Sequence, residues 1–585
     1  MFALSKNKVP ILIAFLAFSW MIIAGQWRAE NVIRGDARGY CAYLANWVVY
    51  GEFDFAFYDD LDPDTKERYW LNTYPDSKSI PKLTMGVAYA QLPLFYAAHL
   101  VAGPMGFARD GWSMPYQLSV GLSGILFFLF GLIALRAFLV RRFSDSLSDF
   151  TLLLVGLGTN LLYYAGPDNA ISHVFTFALF SMALLAFDSW LEKGRSYNLM
   201  FTALLYGWIM LIRPTNGIFM LIPLIQLIDS GQWRALFQWA TVPAIFFALL
   251  PFLPQMMLWH EASGHWFFYS YGEEQIFWLK PEILNGLFSY RNGWLMYTPA
   301  MMLALLGVGF LWKIDRALTI AGAICIPAHI YVVFSWWCWY YGDSFSIRPM
   351  IDIYPLLAVF IASFLRWFMA RNNATFAATF IIGVAFIGNS LLQTRQYERA
   401  QLSGSAMTKS AFDLLFLNPN APSNMALTGL WKAPDVERLM EGKPERVKRD
   451  TVIEQTWKPD FDSGELAGSM DYSPQLSVPA SDLNTSFDRV LRIGVDLKCS
   501  NYARSEVMLI MSFEVNKKST SYQSLELDRL PLKEDEWDRA EAYLQKPADL
   551  PDGATLEVFL WLRNGKGRVA YKDLRVEQLD CPYSE

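Results

Sequence analysis

The sequence predicts an α-helical, polytopic membrane protein with a C-terminal β-sandwich of jelly-roll type. Of its 585 residues, 54% are hydrophobic and only 18% are charged, whereas an ordinary soluble domain has roughly 25% charged residues. Apolar runs long enough to cross about 30 Å of hydrocarbon recur from Val9 to about Leu392 and then stop. Beyond them, alternating runs separated by turn residues predict strands. A disordered chain is excluded.

The charge balance argues against a nucleic-acid partner. The chain has 49 Lys and Arg against 55 Asp and Glu, a net charge of -6, and so it lacks a basic surplus. Its 43 Phe, 28 Tyr and 22 Trp suit an aromatic belt at a membrane interface. We therefore expect membrane lipid, and no nucleic acid, as a partner.

Eleven runs have the length and apolarity of membrane spans. They cover residues 9–26, 114–139, 149–165, 171–191, 197–212, 214–229, 236–258, 294–312, 317–335, 349–368 and 375–393. The first run follows Lys6 and Lys8, which favours a cytoplasmic N-terminus. It is long for a signal-peptide core and lacks a clean small-x-small cleavage site, so we expect an uncleaved anchor.

Residues 81–103 form the ambiguous segment, because they are apolar enough to span but contain Pro93 and His99. If this segment crossed the membrane, the basic loop at 136–142 would lie outside. If it lies on the outer surface, that loop and the other basic loops fall on the cytoplasmic face, as the positive-inside rule requires. We therefore expect an interfacial or re-entrant helix here.

This topology places nearly all unusual polar residues on the outer face. That face receives two long loops, 27–113 and 259–293, and the short links near 165–171, Arg213 and 336–348. The chain after about residue 394 also lies outside, because an odd number of spans separates it from a cytoplasmic N-terminus. We expect the inner membrane of a bacterium, with a periplasmic C-terminal part.

Three parts are predicted, namely a membrane domain at 1–395, an irregular connector at 396–486 and the β-sandwich at 487–585. The strands of the sandwich are expected at 489–497, 505–515, 521–527, 554–564 and 567–579. Cys499 and Cys581 stand at its two ends, and in an oxidising compartment they either pair as a disulfide or stay reduced. No carboxylate–His or Cys–His pattern occurs in these runs, so we expect the sandwich to assist rather than catalyse.

Asp36, in the first outer loop, has two interpretations. At the start of an amphipathic helix it suits an N-cap carboxylate, and as an acid on the outer face it suits acid–base chemistry. The reserve candidates for a catalytic acid are Asp168, Glu273 and Asp343. The residues expected to line a substrate pocket are Tyr40, His173, His260, His265 and Tyr341.

Four cations stand at the outer ends of different spans, on the face that the positive-inside rule depletes of cations. They are Lys82, Arg213, Arg291 and Arg348. Each alone suits a snorkelling anchor. Together they favour an anionic partner at the interface, such as a phosphorylated lipid bound by charge-assisted hydrogen bonds.

Several short segments of the membrane part carry a family resemblance. They are Gly35-Asp36-x-x-x-Tyr40, Pro81-Lys82-Leu83, GWLMYTPAMMLALLG and WYYGDSFSIRP. This pattern resembles the GT-C superfamily of integral membrane glycosyltransferases, and within it the protein O-mannosyltransferase and lipid A aminoarabinose transferase-like enzymes. The C-terminal tail has no share in the resemblance.

The resemblance implies a GT-C-like fold that transfers a sugar from a polyprenyl-phosphate carrier to an acceptor on the non-cytoplasmic side. It also implies that Asp36 is central to catalysis and that Lys82 lies near the lipid phosphate. The chain departs from the pattern, since Gly35-Asp36-Ala37 stands where many relatives have two adjacent acids, and Pro81-Lys82-Leu83 where many have Lys-Pro-Pro. The use of a divalent metal as cofactor and the phosphate geometry therefore stay open.

The chemistry also follows from the residue types. A carboxylate removes the proton of an acceptor hydroxyl as its oxygen attacks the anomeric carbon, while fixed cations stabilise the departing phosphate. A single displacement of this kind inverts the anomeric centre. The acceptor is lipid A or lipopolysaccharide, a surface polysaccharide or a protein. The main alternative function is a transporter or flippase for a lipid-linked glycan or other solute, and the second is a glycan-binding assembly protein.

Overall fold

The computed structural model describes residues 6–419 and 452–580. Within these ranges it leaves out residues 29, 73–77, 238, 240, 272, 273, 275, 405, 406, 461, 468–470, 484–488, 501–506, 516, 517, 528–531, 545–549, 551, 552 and 563–567. The chain divides into two compact units, Met1–Glu398 and Arg399–Glu585.

The first unit is almost entirely helical. Its helices are α1 (Lys8–Ala24), α2 (Asp36–Ala45), α3 (Pro63–Tyr69), α4 (Gly86–Ala102), α5 (Met114–Leu139), α6 (Asp145–Leu157), α7 (Leu161–Ala165), α8 (Ser172–Lys193), α9 (Ser196–Ile212), α10 (Leu221–Asp229), α11 (Thr241–Leu249), α12 (Phe252–Ser263), α13 (Ile283–Phe288), α14 (Trp294–Tyr297), α15 (Met302–Leu311), α16 (Arg316–Phe334), α17 (Tyr354–Met369) and α18 (Asn373–Glu398). A two-stranded ribbon joins β1 (Leu71–Asn72) to β2 (Ile80–Pro81). The 3₁₀ turns Pro214–Met220 and Arg348–Ile353 precede α10 and α17.

Apolar composition makes this unit a membrane protein. Among the described residues, five helices are long and apolar enough to cross a membrane, namely α5, α8, α16, Arg348–Met369 and α18. The pair α11 and α12, bent by 46°, makes a sixth if it counts as one span. Shorter apolar helices cover Lys8–Ala24, Ser196–Ile212, Pro214–Asp229 and Pro299–Leu311. Each of the eleven predicted spans contains a helix, and a count of eleven crossings stays a prediction.

The segment predicted as an interfacial helix at 81–103 forms α4, which begins at Gly86 and contains Pro93. The helix is held from both sides by buried polar contacts. Gln91 Nε2 donates to the carbonyl of Ala170 at 3.1 Å, and the backbone N–H of Met85, just before α4, donates to Gln255 Oε1 at 2.8 Å. Its placement at the membrane interface stays a prediction.

One arginine brings three helix ends to the same face. Arg142 follows α5, and its Nη2 lies 2.6 Å from Asp188 Oδ1 near the end of α8. Its Nε lies 2.8 Å from Asp315 Oδ2, the N-cap residue of α16. The ends of α5 and α8 and the start of α16 therefore share a face, as the predicted alternation of the loops requires for these three helices.

The second unit contains a β-sandwich. Its strands are β3 (Val452–Trp457), β4 (Ser463–Ala467), β5 (Asp471–Tyr472), β6 (Leu476–Pro479), β7 (Arg489–Cys499), β8 (Val507–Val515), β9 (Lys518–Glu526), β10 (Asp538–Leu544), β11 (Thr555–Leu562) and β12 (Arg568–Asp580), and one short helix, α19 (Lys409–Leu415), precedes them. One antiparallel sheet has the order β10-β7-β12-β3, with β4 also on β12, and the other has the order β5-β11-β8-β9, with β6 also on β11. Alternating residues of both sheets, such as Ile493 and Leu509, share one buried core.

The sandwich begins earlier than the sequence predicted. The five predicted strands correspond to β7, β8, β9, β11 and β12. The predicted connector at 396–486 is wrong in its second half, because β3 and β4 pair with β12 and β5 and β6 pair with β11. The polar β4 and the two-residue β5 have no apolar alternation, and the alternating β6 is only four residues long, so the sequence pattern was too weak to predict them without their neighbours. The strand β10, rich in charged residues, was also missed. Cys581 lies outside the described residues, and its pairing with Cys499 stays a prediction.

Candidate active site

The site is built around a carboxylate–guanidinium pair. Asp36 is the first residue of α2, and Gly35 before it has a φ of 49°, a conformation that favours glycine. Asp36 Oδ2 lies 3.1 Å from Arg348 Nη2, and the two side chains are 23% and 21% exposed. Gly35, rather than Asp36, occupies the N-cap position. The Asp36 carboxylate is therefore directed to a cation instead of capping its own helix.

The surrounding charges keep Asp36 ionised. Burial raises the pKa of its carboxyl, whereas Arg348 and, more weakly, Arg213 and Lys82 lower it. The lowering outweighs the effect of burial, so the pKa of Asp36 lies below its usual range. These three cations therefore act on one carboxylate, although they come from distant parts of the chain. The sequence prediction grouped them with Arg291 as a phosphate site.

Arg213 is held by a buried network at the N-terminal end of α8. His173 Nδ1 lies 2.8 Å from Asp352 Oδ1, and both side chains are fully buried. Arg213 Nη1 lies 3.3 Å from His173 Nε2, and its Nε lies 3.9 Å from Asp352 Oδ2. Because a guanidinium only donates, His173 Nε2 accepts and its Nδ1 carries the proton toward Asp352. The network fixes one edge of the guanidinium while 26% of the Arg213 side chain stays exposed.

Asp168 is a second carboxylate in a contrasting environment. Its Oδ1 lies 3.8 Å from Nε of Arg34. The Nη2 atom of the same arginine donates to Tyr163 Oη at 3.2 Å. Burial raises the pKa of Asp168, and the pairing with Arg34 is too loose to reverse that shift. Its loop packs directly on α5, since a Cβ added at Gly124 would lie 2.1 Å from the Asn169 carbonyl oxygen. The two carboxylates therefore have pKa values pushed in opposite directions.

Lys82 joins the two long outer loops. Its ammonium group forms an ion pair with Glu274 and lies 5.1 Å from the centroid of the Tyr271 ring. Ser270 Oγ donates to the Lys82 carbonyl at 2.6 Å. The 259–293 loop is thus bound to the segment just before α4.

A cavity of about 240 Å³ lies beside these charges. Its aromatic wall contains Trp259, Phe268, Tyr271, Trp336 and Tyr341, and its polar lining includes Arg213, Asn216, His329 and Asp352. Such a combination of apolar surface with a few fixed polar groups is typical of small-molecule sites.

The remaining predicted residues are spread more widely. Tyr341 lines the cavity, and its hydroxyl donates to the Val333 carbonyl at 2.9 Å. Tyr40 is buried in α2. Asp343 is exposed.

Two further groups of predicted residues do not line the cavity. His260 and His265 are exposed at the end of α12, where the His260 ring packs on Trp266. Arg291 is buried with its guanidinium 3.0 Å from the centroid of the Tyr340 ring. Glu273 lies outside the described residues.

The sequence prediction missed Asp352, Asn216, His329 and Arg34. Asp352 and His329 each stand inside a predicted span, and an ionisable residue at that position is itself a signal of function. Asn216 follows Arg213 in the IRPTNG segment, where the prediction singled out only the arginine. Arg34 precedes Asp36 by two residues and had no distinguishing pattern.

The described residues do not form a metal centre with three or more protein ligands. Within the described ranges, no group of three or more His, Cys, Asp or Glu side chains could hold a metal ion. Asp36 and Asp168 each face an arginine instead of each other.

Comparisons with known proteins give likeness at the level of architecture. No protein-family model matches the chain, and no curated protein matches it by sequence. Among solved structures it is similar to the oligosaccharyltransferase AglB from Archaeoglobus fulgidus in complex with an inhibitory peptide and a dolichol-phosphate, with 13% identity, a TM-score of 0.44, and coverage of 76% of this chain and 59% of AglB. A second Archaeoglobus fulgidus oligosaccharyltransferase structure, with Zn and sulfate, has 12% identity, a TM-score of 0.44, and coverage of 75% and 56%.

The arabinosyltransferase EmbB from Mycobacterium smegmatis is similar at 12% identity and a TM-score of 0.29, with coverage of 84% of this chain and 60% of EmbB. The chain thus spans 56% to 60% of the length of these proteins.

Proposed function

We propose that this chain is a polyprenyl-phosphate-sugar-dependent glycosyltransferase that acts at the outer face of the bacterial inner membrane. The observation that carries the proposal is the Asp36–Arg348 pair of 3.1 Å, with Arg213 and Lys82 close enough to lower the pKa of the same carboxylate. This arrangement suits a reaction that needs an ionised carboxylate beside several cations. Transfer of a sugar from a lipid phosphate is such a reaction, because the carboxylate accepts a proton and the cations bind the phosphate.

In the proposed reaction, the donor's phosphate binds near Arg213, Arg348 and Lys82. Arg348 contacts Oδ2 of Asp36, which leaves Oδ1 to accept the proton of an acceptor hydroxyl. The hydroxyl oxygen attacks the anomeric carbon, the bond from that carbon to the phosphate oxygen breaks, and the phosphate leaves with the electron pair. A single displacement inverts the anomeric centre, and the fixed cations stabilise the departing phosphate.

The exchange of Arg348 between two anions explains how a carboxylate with a lowered pKa can act as a base. A carboxylate whose pKa lies well below the working pH is ionised but weakly basic. As the phosphate gains charge, it competes with Asp36 for Arg348. The Asp36 carboxyl then loses part of the interaction that lowers its pKa and becomes a better base during the step.

The acceptor is a glycan, a lipid such as lipid A or lipopolysaccharide, or a protein. Tyr40, buried in α2 behind Asp36, and Asp168, in the neighbouring loop, support the acceptor side of the site. The β-sandwich holds or presents the acceptor and takes no part in the chemistry.

The test uses the full chain in lipid nanodiscs with undecaprenyl phosphate carrying radiolabelled glucose, mannose, galactose or arabinose. We expect release of undecaprenyl phosphate together with transfer of label to an acceptor from a bacterial envelope extract. Asp36→Asn should abolish release. Asp54→Asn should not, because the Asp54 carboxylate pairs with Lys78, at a distance of 2.7 Å, and not with Arg348. Movement of intact lipid-linked sugar across the bilayer without release would instead support the transporter.

A further inference from the structure

Two of the residues that line the cavity beside the charged network, Asn216 and His329, each carry a buried hydrogen-bond acceptor. Asn216 Nδ2 donates to Asp352 Oδ2 at 2.8 Å, which turns Asn216 Oδ1 away from that carboxylate. Among the described residues, Asn216 Oδ1 has no hydrogen-bond partner, although the side chain is 1% exposed. A buried acceptor in this state is unfavourable unless a ligand or water satisfies it.

His329, on α16, presents the second acceptor. Its Nε2 lies 3.2 Å from the Pro349 carbonyl, and because a carbonyl only accepts, Nε2 carries the proton and Nδ1 is a bare acceptor. Within the described part of the chain Nδ1 has no partner, and the residue is 2% exposed. The ring is fixed from the other side by Phe219, with centroids 5.2 Å apart. Both acceptors therefore have orientations set by other bonds.

The chemistry of these groups selects the kind of ligand. Two neutral acceptors call for donors such as hydroxyl groups. An ammonium group is disfavoured, because Asp352 already accepts from His173 and Asn216 and the guanidinium of Arg213 lies in the same cavity. The aromatic residues Tyr271 and Trp336, whose ring centroids are 5.7 Å apart, supply apolar faces. Hydroxyls on one edge and an apolar face describe a sugar ring.

The size of the cavity limits how much sugar it takes. Its volume of about 240 Å³ lies below the roughly 300–1,000 Å³ of drug-sized sites. One ring suits this volume better than an oligosaccharide does.

We propose that Asn216 and His329 form a subsite that binds the hydroxyl groups of a single, uncharged sugar ring on the lipid donor. This inference rests on the proposed function and adds the class of sugar to it. Arg213 lines the same cavity and is also one of the cations of the proposed phosphate site, so it links the two. Through this subsite the enzyme recognises the sugar of the donor as well as its lipid phosphate.

The test separates sugar binding from phosphate binding. Affinity is measured for undecaprenyl phosphate and for undecaprenyl-phosphate glucose, mannose, galactose and arabinose, with the full chain in nanodiscs. His329→Gln keeps an N–H for the Pro349 carbonyl and removes the ring Nδ1. It should weaken the best sugar-linked lipid about 5- to 150-fold and leave undecaprenyl phosphate itself unchanged. His99→Gln is the matched control, since His99 bonds to Tyr116 and does not line the cavity.

A second measurement distinguishes the loss of one hydrogen bond from a general structural change that His329→Gln causes in the site. The 2-, 3-, 4- and 6-deoxy analogues of the best donor are compared on the wild type and on His329→Gln. One analogue should bind the wild type more weakly than the parent donor does, but should bind the variant as well as the parent donor does. The variant already lacks the acceptor, so removing the hydroxyl that bonds to it costs nothing more. Equal losses on both proteins for every analogue would mean that waters alone satisfy the acceptors, and the subsite would be abandoned.

The failure of the subsite differs from the failure of the proposed function. If the wild type bound undecaprenyl phosphate as tightly as every sugar-linked form, the subsite would be overturned while the phosphate site stood. If neither undecaprenyl phosphate nor its sugar-linked forms bound, and Arg348→Ala changed nothing, the proposed function would fall, and the subsite with it.

Discussion

Asp36 follows the first helix and Arg348 precedes α17, yet Asp36 Oδ2 and Arg348 Nη2 lie 3.1 Å apart. The pair joins the start of α2 to the 3₁₀ turn that precedes α17. It places a carboxylate that can receive a proton next to a cation that can receive a phosphate. The first two predictions depend on this contact.

Asp36→Asn should reduce sugar transfer about 10²–10⁴-fold, the usual contribution of a general base, without unfolding the protein. The amide keeps the size of the side chain and still faces Arg348. Transfer is measured as release of undecaprenyl phosphate from the labelled donor. Retention of more than about a tenth of the activity, with Asp54→Asn as the unaffected control, would refute the role.

Arg348→Gln should move the acidic limb of the pH profile of kcat/KM to higher pH. Arg348 holds the pKa of Asp36 below its usual range despite the opposing effect of burial, so its removal raises that pKa and the carboxylate protonates at a higher pH. The profile is measured on the residual activity. Arg291→Gln, which removes a cation that packs on Tyr340, should leave the limb in place. An unmoved limb in Arg348→Gln would contradict the assignment of Asp36.

Single substitutions of Arg213, Arg348 and Lys82 to glutamine should weaken the binding of undecaprenyl phosphate by about 1.5–3 kcal/mol each. These three cations act on Asp36, whereas Arg291 stacks on Tyr340 and its substitution should have a smaller effect. Binding is measured by titration in nanodiscs. If all four variants kept the wild-type affinity, these side chains would be better explained as membrane anchors.

Asp352→Asn should weaken phosphate binding through Arg213, because Asp352 and His173 hold one edge of its guanidinium. The effect should be non-additive with Arg213→Gln, since the second substitution removes the group that the first one misplaces. The double-mutant cycle is read from undecaprenyl phosphate affinity, with folding checked by thermal denaturation. An additive result would assign Asp352 to the stability of the helix bundle alone.

Ile493→Ala should destabilise the β-sandwich by about 2–5 kcal/mol and leave donor affinity unchanged. Ile493 is fully buried in the core that both sheets share. Hydrogen exchange of the β7 and β12 amides, followed by mass spectrometry, reports the stability, and titration reports the donor affinity. A loss of donor binding equal to that of Arg348→Gln would place the sandwich within the donor site, contrary to its proposed assisting role.

The sequence by itself determined the features that repeat locally. Apolar runs near the length of a span became helices such as α5, α8 and α16, and alternating runs became β7, β8 and β11, because burial on one face of an element leaves a periodic pattern in its own residues. Asp36 was singled out because it lies in the first loop after the first predicted span and matches an acidic position of the family that the chain resembles, and its catalytic role stays a prediction.

Only the tertiary structure decided which of these groups meet. It brought Arg348 into contact with Asp36, left Arg213 and Lys82 close enough to lower the pKa of the same carboxyl, and placed Arg291 on Tyr340, although all four cations looked alike at the ends of their spans. It also paired His173 with Asp352 and made β3 and β4 strands on β12. These contacts join residues far apart in the chain, and a local pattern records whether a side chain is buried but not which distant partner satisfies it.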